Sequence, residues 1–191
     1  MTREEILRIC DPNNLYLLDP NSRKKLEEIL VEMSKDVKLD FSNMDLQKFI
    51  EETTRPDVRM YCGVNPLYET DLRPHMICGN GVRLSIQASS THYCLPREDW
   101  LDKYDSYEMV IMSPCNLKEL LSKQKKLKLK EAVQWFIDND PRPESFDCEA
   151  SEEEWDMFPE PFGFVPHDAL QGLIDACGGI KGIRECTIDR E

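Results

Sequence analysis

The densest group of reactive side chains in this sequence is the run Ser89-Ser90-Thr91-His92-Tyr93-Cys94. An imidazolium beside a thiol lowers the pKa of the thiol, so His92 next to Cys94 could supply a thiolate nucleophile. Side chains two residues apart on a strand share a face without having to touch, and no third residue that would orient the pair is identifiable. The alternative is a structural corner in which the hydroxyls and the imidazole bind backbone groups.

Metal binding is a second possible chemistry, because the chain has eight cysteines and three histidines. No C-x-x-C or H-x-x-x-H spacing occurs. A scattered site from His75, Cys78, His92 and Cys94 would have to assemble across a hairpin. The sequence therefore predicts no resident cofactor, and a small thiol-dependent or zinc-dependent enzyme remains an alternative function.

A ligand pocket around the same run is a third possibility, in which the protein sequesters a nucleotide. Arginines on either side of the run and the polar side chains of the run itself would line the site. No P-loop and no G-x-G-x-x-G pattern accompanies it. The residues that would form this pocket are Arg83, Gln87, Ser89, His92, Tyr93, Cys94 and Arg97.

Acidity is the second conspicuous feature. The 191 residues carry 37 acids and 24 bases, a net charge of −13, and ten acids and one base fall within residues 138–160. That stretch alone contributes −9, so the rest of the chain carries only −4. The charge repels nucleic acid phosphate unless a local basic patch compensates. Direct nucleic-acid binding is therefore not expected, and the acidic chain suits a basic partner, above all a nucleic-acid-binding protein.

The acidic loop over 138–160 has three interpretations. It could be a solvated loop, a divalent-metal site, which requires rigid converging oxygens, or a phosphate mimic that occupies the basic groove of a DNA-binding protein. Aromatic residues among the acids favour an interface, because aromatics anchor contacts. The predicted partner contacts are Glu152, Glu153, Glu154, Trp155 and Asp156.

Six lysines between 118 and 130 form the opposite extreme of the charge pattern. Such a cluster is typical of a solvated helix face, and it could also contact a nucleic acid held by a partner. The segment 116–138 that contains it predicts a helix with a break near Lys125.

The elements that position these residues follow from periodicity and turn signals. Residues 1–55 predict a helical N-terminal unit, with Leu26, Ile29, Leu30, Met33 and Val37 at helical spacing. A second helix over 44–53 ends before Pro56, because proline biases the preceding residue away from helix.

Residues 56–191 predict an α+β domain. Gly79-Asn80-Gly81 signals a hairpin, followed by a half-buried strand in which Val82, Leu84, Ile86 and Ala88 face inward. Further strands are expected at 107–112 and 162–165, then a helix over 167–177 that ends at a glycine and a last strand from 180. The predicted fold is a small antiparallel sheet packed with helices.

The expected compartment is the cytosol. The N-terminal sequence MTREEILRICDPNN lacks an apolar signal region, and no stretch approaches the about 18 apolar residues of a membrane span. The cysteines are therefore expected to be reduced thiols, most of them buried.

Three blocks of the sequence resemble a family of short phage and prophage proteins that has no assigned reaction. The blocks are VRLSIQASSTHYCLPR, YDSYEMVIMSP and FGFVPHDALQGLIDACGGI, and the resemblance covers about residues 82–114 and 158–180. It implies a protein of a mobile element acting in the cytoplasm of a bacterial host. Small acidic proteins of such elements are often similar to anti-CRISPR inhibitors.

The leading hypothesis is therefore a non-enzymatic inhibitor that binds a basic nucleic-acid-handling protein. A type II CRISPR effector nuclease is the candidate target, because it holds its heteroduplex and reads its PAM with arginines and lysines in positive channels.

Overall fold

The computed structural model describes residues 3–10, 12–15, 17–68, 72–99, 101, 103–142 and 160–184. Five helices precede the first strand, three strands follow in succession, and the fold is α+β as predicted. The elements in chain order are α1 (Arg3–Ile9), α2 (Pro12–Leu15), α3 (Pro20–Ser34), α4 (Leu46–Thr54), α5 (Pro56–Tyr61), β1 (His75–Cys78), β2 (Arg83–Gln87), β3 (Ser106–Ile111), α6 (Leu117–Lys123), α7 (Leu127–Asp138), β4 (Phe162–Pro166), α8 (His167–Ala176) and β5 (Ile180–Arg184).

Helix α3 dominates the predicted helical N-terminal unit. It begins after Asp19, whose carboxylate accepts hydrogen bonds from the backbone N–H groups of Asn21 and Ser22 and so satisfies donors that the helix leaves open. Its inner face buries Leu26 and Leu30, two members of the predicted apolar stripe. With side chains of α1, α2 and the segment after α5, these residues form a small separate core cluster: Ile6, Cys10, Leu15, Leu26, Leu30 and Leu67.

The division between the two core clusters does not coincide with the predicted boundary at residue 55. Helix α4 supplies Phe49 and Ile50 to the main core beside the sheet, whereas Leu67, which follows α5, belongs to the N-terminal cluster. Pro56 does end α4, and it also starts α5, because proline fits the first turn of a helix.

The described residues contain a five-stranded antiparallel sheet in the order β4-β3-β2-β1-β5. The predicted hairpin is present: the Gly81 N–H donates to the carbonyl of Cys78, and Gly81 has a φ of 89°, a conformation that favours glycine. Strand β3 pairs with β2 and brings the residues after position 105 alongside the end of β2.

The sequence predicts a half-buried strand β2, and that prediction is wrong for two of its three outer side chains, since only Arg83 is partly exposed. Ser85 and Gln87 are buried together with Leu84 and Ile86. The segment before β1 covers this face: the Gln87 amide donates to the Arg73 carbonyl at 3.1 Å and accepts from the Arg73 N–H at 2.8 Å. The alternation of apolar and polar residues in β2 does not reveal that another segment packs on its polar face. A polar residue can be buried once its hydrogen bonds are satisfied.

Helices α6, α7 and α8 complete the main core. The predicted break near Lys125 is confirmed, since α6 ends at Lys123 and α7 starts at Leu127. Helix α7 packs against α8, and its Phe136 contacts Phe162 of β4 with ring centroids 5.2 Å apart.

The described cysteines are free and buried, as the sequence predicts. Those with described positions are Cys10, Cys62, Cys78, Cys94, Cys115 and Cys177. None of the helices in the described ranges has the length and apolar character that crossing a bilayer requires.

Candidate functional site

The loop between β2 and β3 contacts β3 and β4 at one end of the sheet. The three sequence blocks that resemble the phage and prophage proteins therefore meet at this end. Leu95 pairs with Ser106 at the start of β3, and its carbonyl also accepts from the Asp105 N–H at 2.7 Å. The Phe164 N–H of β4 donates to the Tyr93 carbonyl at 2.8 Å. Residues distant in sequence are thus held together by backbone hydrogen bonds.

Strand β4 contains a bulge at this point. Tyr107 of β3 pairs with Val165, and Met109 pairs with Phe162, so that Gly163 and Phe164 both lie opposite Glu108. An extra residue in one strand re-aims the side chains around it. The Glu108 carboxylate accepts a hydrogen bond from the Tyr93 N–H at 3.0 Å.

Phe164 adopts a left-handed backbone conformation, with a φ of 53°. A non-glycine residue in this region carries a cost of about 1–3 kcal/mol and persists only where the surrounding structure imposes it. Gly163 beside it has no room for a side chain without movement, because an added Cβ would lie 3.2 Å from the Cβ of Tyr93. The bulge and the loop therefore fit closely.

The outcome is an exposed apolar surface, which we call the aromatic corner: Tyr93, Leu95 and Phe164. Their exposed fractions are 52%, 50% and 46%. The rings of Tyr93 and Phe164 meet edge to face with centroids 6.0 Å apart, a favourable aromatic arrangement. Rigid aromatic side chains that remain exposed are typical anchors of protein interfaces.

The polar side chains of the loop bind one another beneath this surface. Ser89 Oγ and His92 Nδ1 share a hydrogen bond of 2.6 Å, and Ser89 Oγ also lies 2.9 Å from Thr91 Oγ1. Asp99 accepts from both the N–H and the hydroxyl of Ser90. The corner expected from the sequence has these side chains bind backbone groups. The Thr91 N–H does donate to Ser89 Oγ at 3.2 Å, whereas the contacts of His92 and the Thr91 hydroxyl with Ser89 join side chains.

Cys94 is buried within the corner. Its Sγ lies 3.2 Å from the Ser89 carbonyl oxygen and 3.4 Å from that of Pro96, so the thiol proton has a backbone acceptor. Burial raises the pKa of this thiol above the ordinary value. The His92 imidazole is 9% exposed and uses Nδ1 to bind Ser89. The geometry therefore favours a neutral, packed thiol over an accessible thiolate nucleophile.

Arg73 supports the corner from inside. Its Nη1 donates to the Ala88 carbonyl at 2.5 Å, and its guanidinium carbon lies 5.5 Å from the ring centroid of Tyr104, a cation–π distance. With Arg59 and Ser89, Arg73 borders a cavity of about 10 Å³. That volume holds about one water molecule, so it does not support a nucleotide pocket.

The residues of the predicted ligand pocket are only partly brought together. Ser89, His92, Tyr93 and Cys94 share the corner. Arg83 begins β2, pairs with Ile77 of β1, and lies near the hairpin, about 13 Å of strand away from Gln87. Gln87 is buried against Arg73 and Arg97 is exposed. These seven residues do not line one cavity in the described structure.

The predicted metal ligands are also separated. Cys78 ends β1 at the hairpin, whereas Cys94 follows the opposite end of β2. Within the described ranges, no group of three or more His, Cys, Asp or Glu side chains is arranged to hold a metal ion. The predicted partner contacts Glu152, Glu153, Glu154, Trp155 and Asp156 lie outside the described residues.

Sequence reasoning missed Phe164, Glu108 and Arg73 as parts of the corner. Phe164 was expected to be an ordinary strand residue, and a bulge has no reliable local signature beyond a nearby glycine such as Gly163. Arg73 and Glu108 meet the loop only because strands that are distant in sequence pair.

Similarity to known proteins provides no further guide to the site. Comparison of the chain with family models, with curated proteins and with solved structures finds no match. The geometry of the aromatic corner is therefore the basis for the functional argument.

Proposed function

We propose that this chain is a non-enzymatic binding protein that inhibits a basic, nucleic-acid-handling host protein, with a type II CRISPR effector nuclease as the candidate target. The observation that carries the proposal is the aromatic corner. Phe164 adopts an unfavourable backbone conformation, and it stays 46% exposed against Tyr93. Strain of this kind clusters at functional sites, and here the strained residue presents an apolar ring to solvent.

The chemistry of the loop favours binding over catalysis. Nucleophilic catalysis by cysteine needs an accessible thiolate, whereas Cys94 is fully buried and the proton of its thiol has a backbone acceptor. The hydroxyls and imidazole that could assist it are engaged in the hydrogen bonds that shape the corner. The large apolar side chains that the described part of the loop exposes to another molecule are Tyr93 and Leu95.

The negative charge near the aromatic corner indicates that the partner's surface is positively charged. Residues 93–108, which include the corner loop, carry five acids and two bases, a net charge of −3. Residues 138–160 precede β4, the strand of Phe164, and add −9. A cationic protein surface complements both stretches, and such complementarity raises association rates and disfavours wrong partners.

The resemblance to phage and prophage proteins supports a host defence protein as that partner. An RNA-guided nuclease carries positively charged channels for its heteroduplex and displaced strand. The carboxylates of residues 138–160 could occupy such a channel while the aromatic corner anchors beside it.

The test is an in vitro cleavage assay with a panel of guide-loaded type II nucleases. The corner variant carries Tyr93→Ala and Phe164→Gly, and the acidic variant carries Glu152→Lys, Glu153→Lys, Glu154→Lys and Asp156→Lys. The wild-type chain is expected to slow cleavage by a sensitive nuclease. The corner variant should lose about tenfold or more in inhibitory potency, because buried aromatic anchors each contribute more than about 1 kcal/mol to binding.

A matched control removes exposed apolar side chains elsewhere. Leu17 and Tyr61 are 66% and 52% exposed, so Leu17→Ala with Tyr61→Ala should keep wild-type potency. A folded corner variant that inhibits as well as the wild type would refute the role of the corner. Full inhibition by the acidic variant would refute the acidic contacts, and no inhibition across the panel would reject these nucleases as targets.

A further inference from the structure

The lysine-rich turn between α6 and α7 is a basic surface on an acidic molecule. Residues 118–130 contain six lysines and one acid, a net charge of +5. All six lysines are exposed, and the described residues pair only Lys123 with a carboxylate, that of Glu119. Leu127 at the turn is 70% exposed. We call the exposed lysines 118, 123, 125, 126, 128 and 130 the lysine turn.

A groove between α6 and α7 opens beside the lysine turn. Its volume is about 600 Å³, within the range of small-molecule sites. Leu121 and the half-buried indole of Trp135 form its apolar wall, and Gln134, Glu131 and Asp138 add polar groups. The Gln134 amide donates to the Asp138 carboxylate at 2.7 Å, which fixes two of these groups in place.

We propose that the groove and the lysine turn bind single-stranded nucleic acid, with a base against Trp135 and the phosphates along the lysines. The positions of the polar and charged groups match those that a nucleotide needs. Carboxylate and amide oxygens in the groove accept hydrogen bonds from the exocyclic amines of bases, and an aromatic wall stacks any base. Of the lysine turn, Lys130 lines the groove, and the other five lysines lie outside its lining, where a backbone would run. An acidic peptide would place its carboxylates against Glu131 and Asp138.

The net charge of −13 does not exclude this contact. Interactions between exposed charges fade beyond a Debye length of about 10 Å at moderate salt, so phosphates on the turn respond mainly to the local +5. The lysine turn is the local basic patch that could compensate for the overall repulsion. Binding to the isolated chain is expected to be weak and salt-dependent.

The lysine turn and the aromatic corner lie near opposite ends of α8. Gln124, in the break between α6 and α7, donates to the carbonyl of Ala176 at the end of α8, whereas Phe164 lies just before the start of that helix. A ten-residue helix is about 15 Å long. The inference therefore does not rest on the proposed inhibitory function, and one molecule could contact a protein at one end and a strand at the other.

Fluorescence anisotropy with a fluorescein-labelled, mixed-sequence single-stranded DNA of about 16 nucleotides tests the proposal, a length that covers common site sizes. The full chain is titrated at salt concentrations from about 50 to about 200 mM. The groove variant is Trp135→Leu, which keeps an apolar side chain against Phe136. The turn variant carries Lys125→Gln, Lys126→Gln and Lys128→Gln.

The wild-type chain should bind the strand at the lowest salt and bind the matching duplex more weakly. The turn variant should lower the slope of log K against log salt by about 2, because each single-strand phosphate contact contributes about 0.7. Trp135→Leu should weaken binding by about fivefold or more without that change in slope.

A control with the same charge change, Lys24→Gln, Lys25→Gln and Lys38→Gln, removes exposed lysines outside the turn and should bind within about twofold of the wild type. The proposal is overturned if the wild type does not bind at the lowest salt, or if this control weakens binding as much as the turn variant. It is also overturned if a folded Trp135→Leu chain binds normally, or if duplex binds as tightly as single strand.

Discussion

Phe164 is the residue at which local preference and the tertiary structure disagree most. An L-residue in the left-handed region costs about 1–2 kcal/mol relative to helical or extended conformations. The bulge opposite Glu108 imposes this conformation on Phe164. The same bulge directs the ring to Tyr93, so the strain and the exposed surface have one cause.

Two substitutions at position 164 separate the strain from the ring contact. Both Phe164→Gly and Phe164→Ala remove the aromatic contact with Tyr93, but only glycine relieves the left-handed strain. Relief of the strain favours glycine by about 1–2 kcal/mol, and the greater unfolded-state entropy of glycine costs about 0.4–1 kcal/mol. The glycine variant should therefore be more stable than the alanine variant by about 1 kcal/mol. Urea unfolding measures the difference, and a more stable alanine variant would show that the backbone is not strained.

Burial of the Tyr107 phenol leads us to expect that the protein loses stability in alkaline solution. The Tyr107 hydroxyl donates to the Tyr104 carbonyl at 3.2 Å and lies 3.1 Å from His167 Nδ1, and burial raises its pKa to about 12. The unfolded chain ionises this phenol near pH 10. The contribution of the protonated Tyr107 phenol to the free energy of unfolding is therefore complete below about pH 10. It is lost as the pH rises through 12, and the total loss is up to about 3 kcal/mol.

Urea unfolding at a series of pH values between 9 and 12 checks this expectation. Tyr107→Phe should be less stable at neutral pH, because it loses the hydroxyl contacts, and its stability should fall less steeply above pH 10. Tyr61→Phe, at a position that is 52% exposed, serves as the control and should follow the wild-type curve. If the free energy of unfolding of Tyr107→Phe fell with pH as steeply as that of the wild type, the raised pKa of Tyr107 would be contradicted.

At the scale of elements, the contact between α7 and α8 depends on a glycine within a helix. A Cβ added at Gly172 would lie 2.4 Å from the Cβ of Ala132, far inside the 3.5–4.0 Å of a normal carbon contact. Glycine in a helix interior costs about 1 kcal/mol relative to alanine. The close approach of the two helices, which also brings Phe136 of α7 to Phe162 of β4, offsets that cost.

A double-mutant cycle tests this close approach. Gly172→Ala should destabilise the protein by about 1–3 kcal/mol despite its better helix propensity, because the added methyl group overpacks the contact. Adding Ala132→Gly to that variant should recover at least about 1 kcal/mol. Thermal or urea unfolding of the two single variants and the double variant measures the coupling. Strictly additive effects would show that the helices separate to accommodate the methyl group.

At the scale of the whole molecule, the described residues form two core clusters of unequal size. Six buried residues, Leu30 among them, make up the N-terminal cluster, and twenty-seven make up the main core around the sheet. Helices α3 and α5 contact each other, and α5 also contacts α4 of the main core. The smaller cluster buries less apolar area, so it is expected to open first in local unfolding.

Hydrogen exchange with mass spectrometry can detect this local opening. Leu30→Ala should cost about 2–5 kcal/mol of the stability of the N-terminal unit and accelerate exchange of amides in α3. Amides of β2 and β3 should keep nearly wild-type protection. Leu84→Ala in the main core provides the comparison and should accelerate exchange throughout the sheet. Equal acceleration of α3 and the sheet by Leu30→Ala would show that the two clusters unfold together.

The features that the sequence determined by itself are local. The hairpin glycine Gly81 and the break near Lys125 are each encoded within a few residues, because left-handed turns and helix interruption depend on neighbouring backbone groups. The apolar stripe of α3 and the α+β pattern follow from periodicities of the same short range.

Long-range packing determines which side chains meet at a site. Phe164, Glu108 and Tyr93 come from three segments, and a bulge in β4 sets their geometry. The burial of Gln87 and Cys94 likewise depends on long-range packing. A site of this kind depends on how strands register and on what covers them, and those contacts join residues too distant in sequence for local pattern to encode.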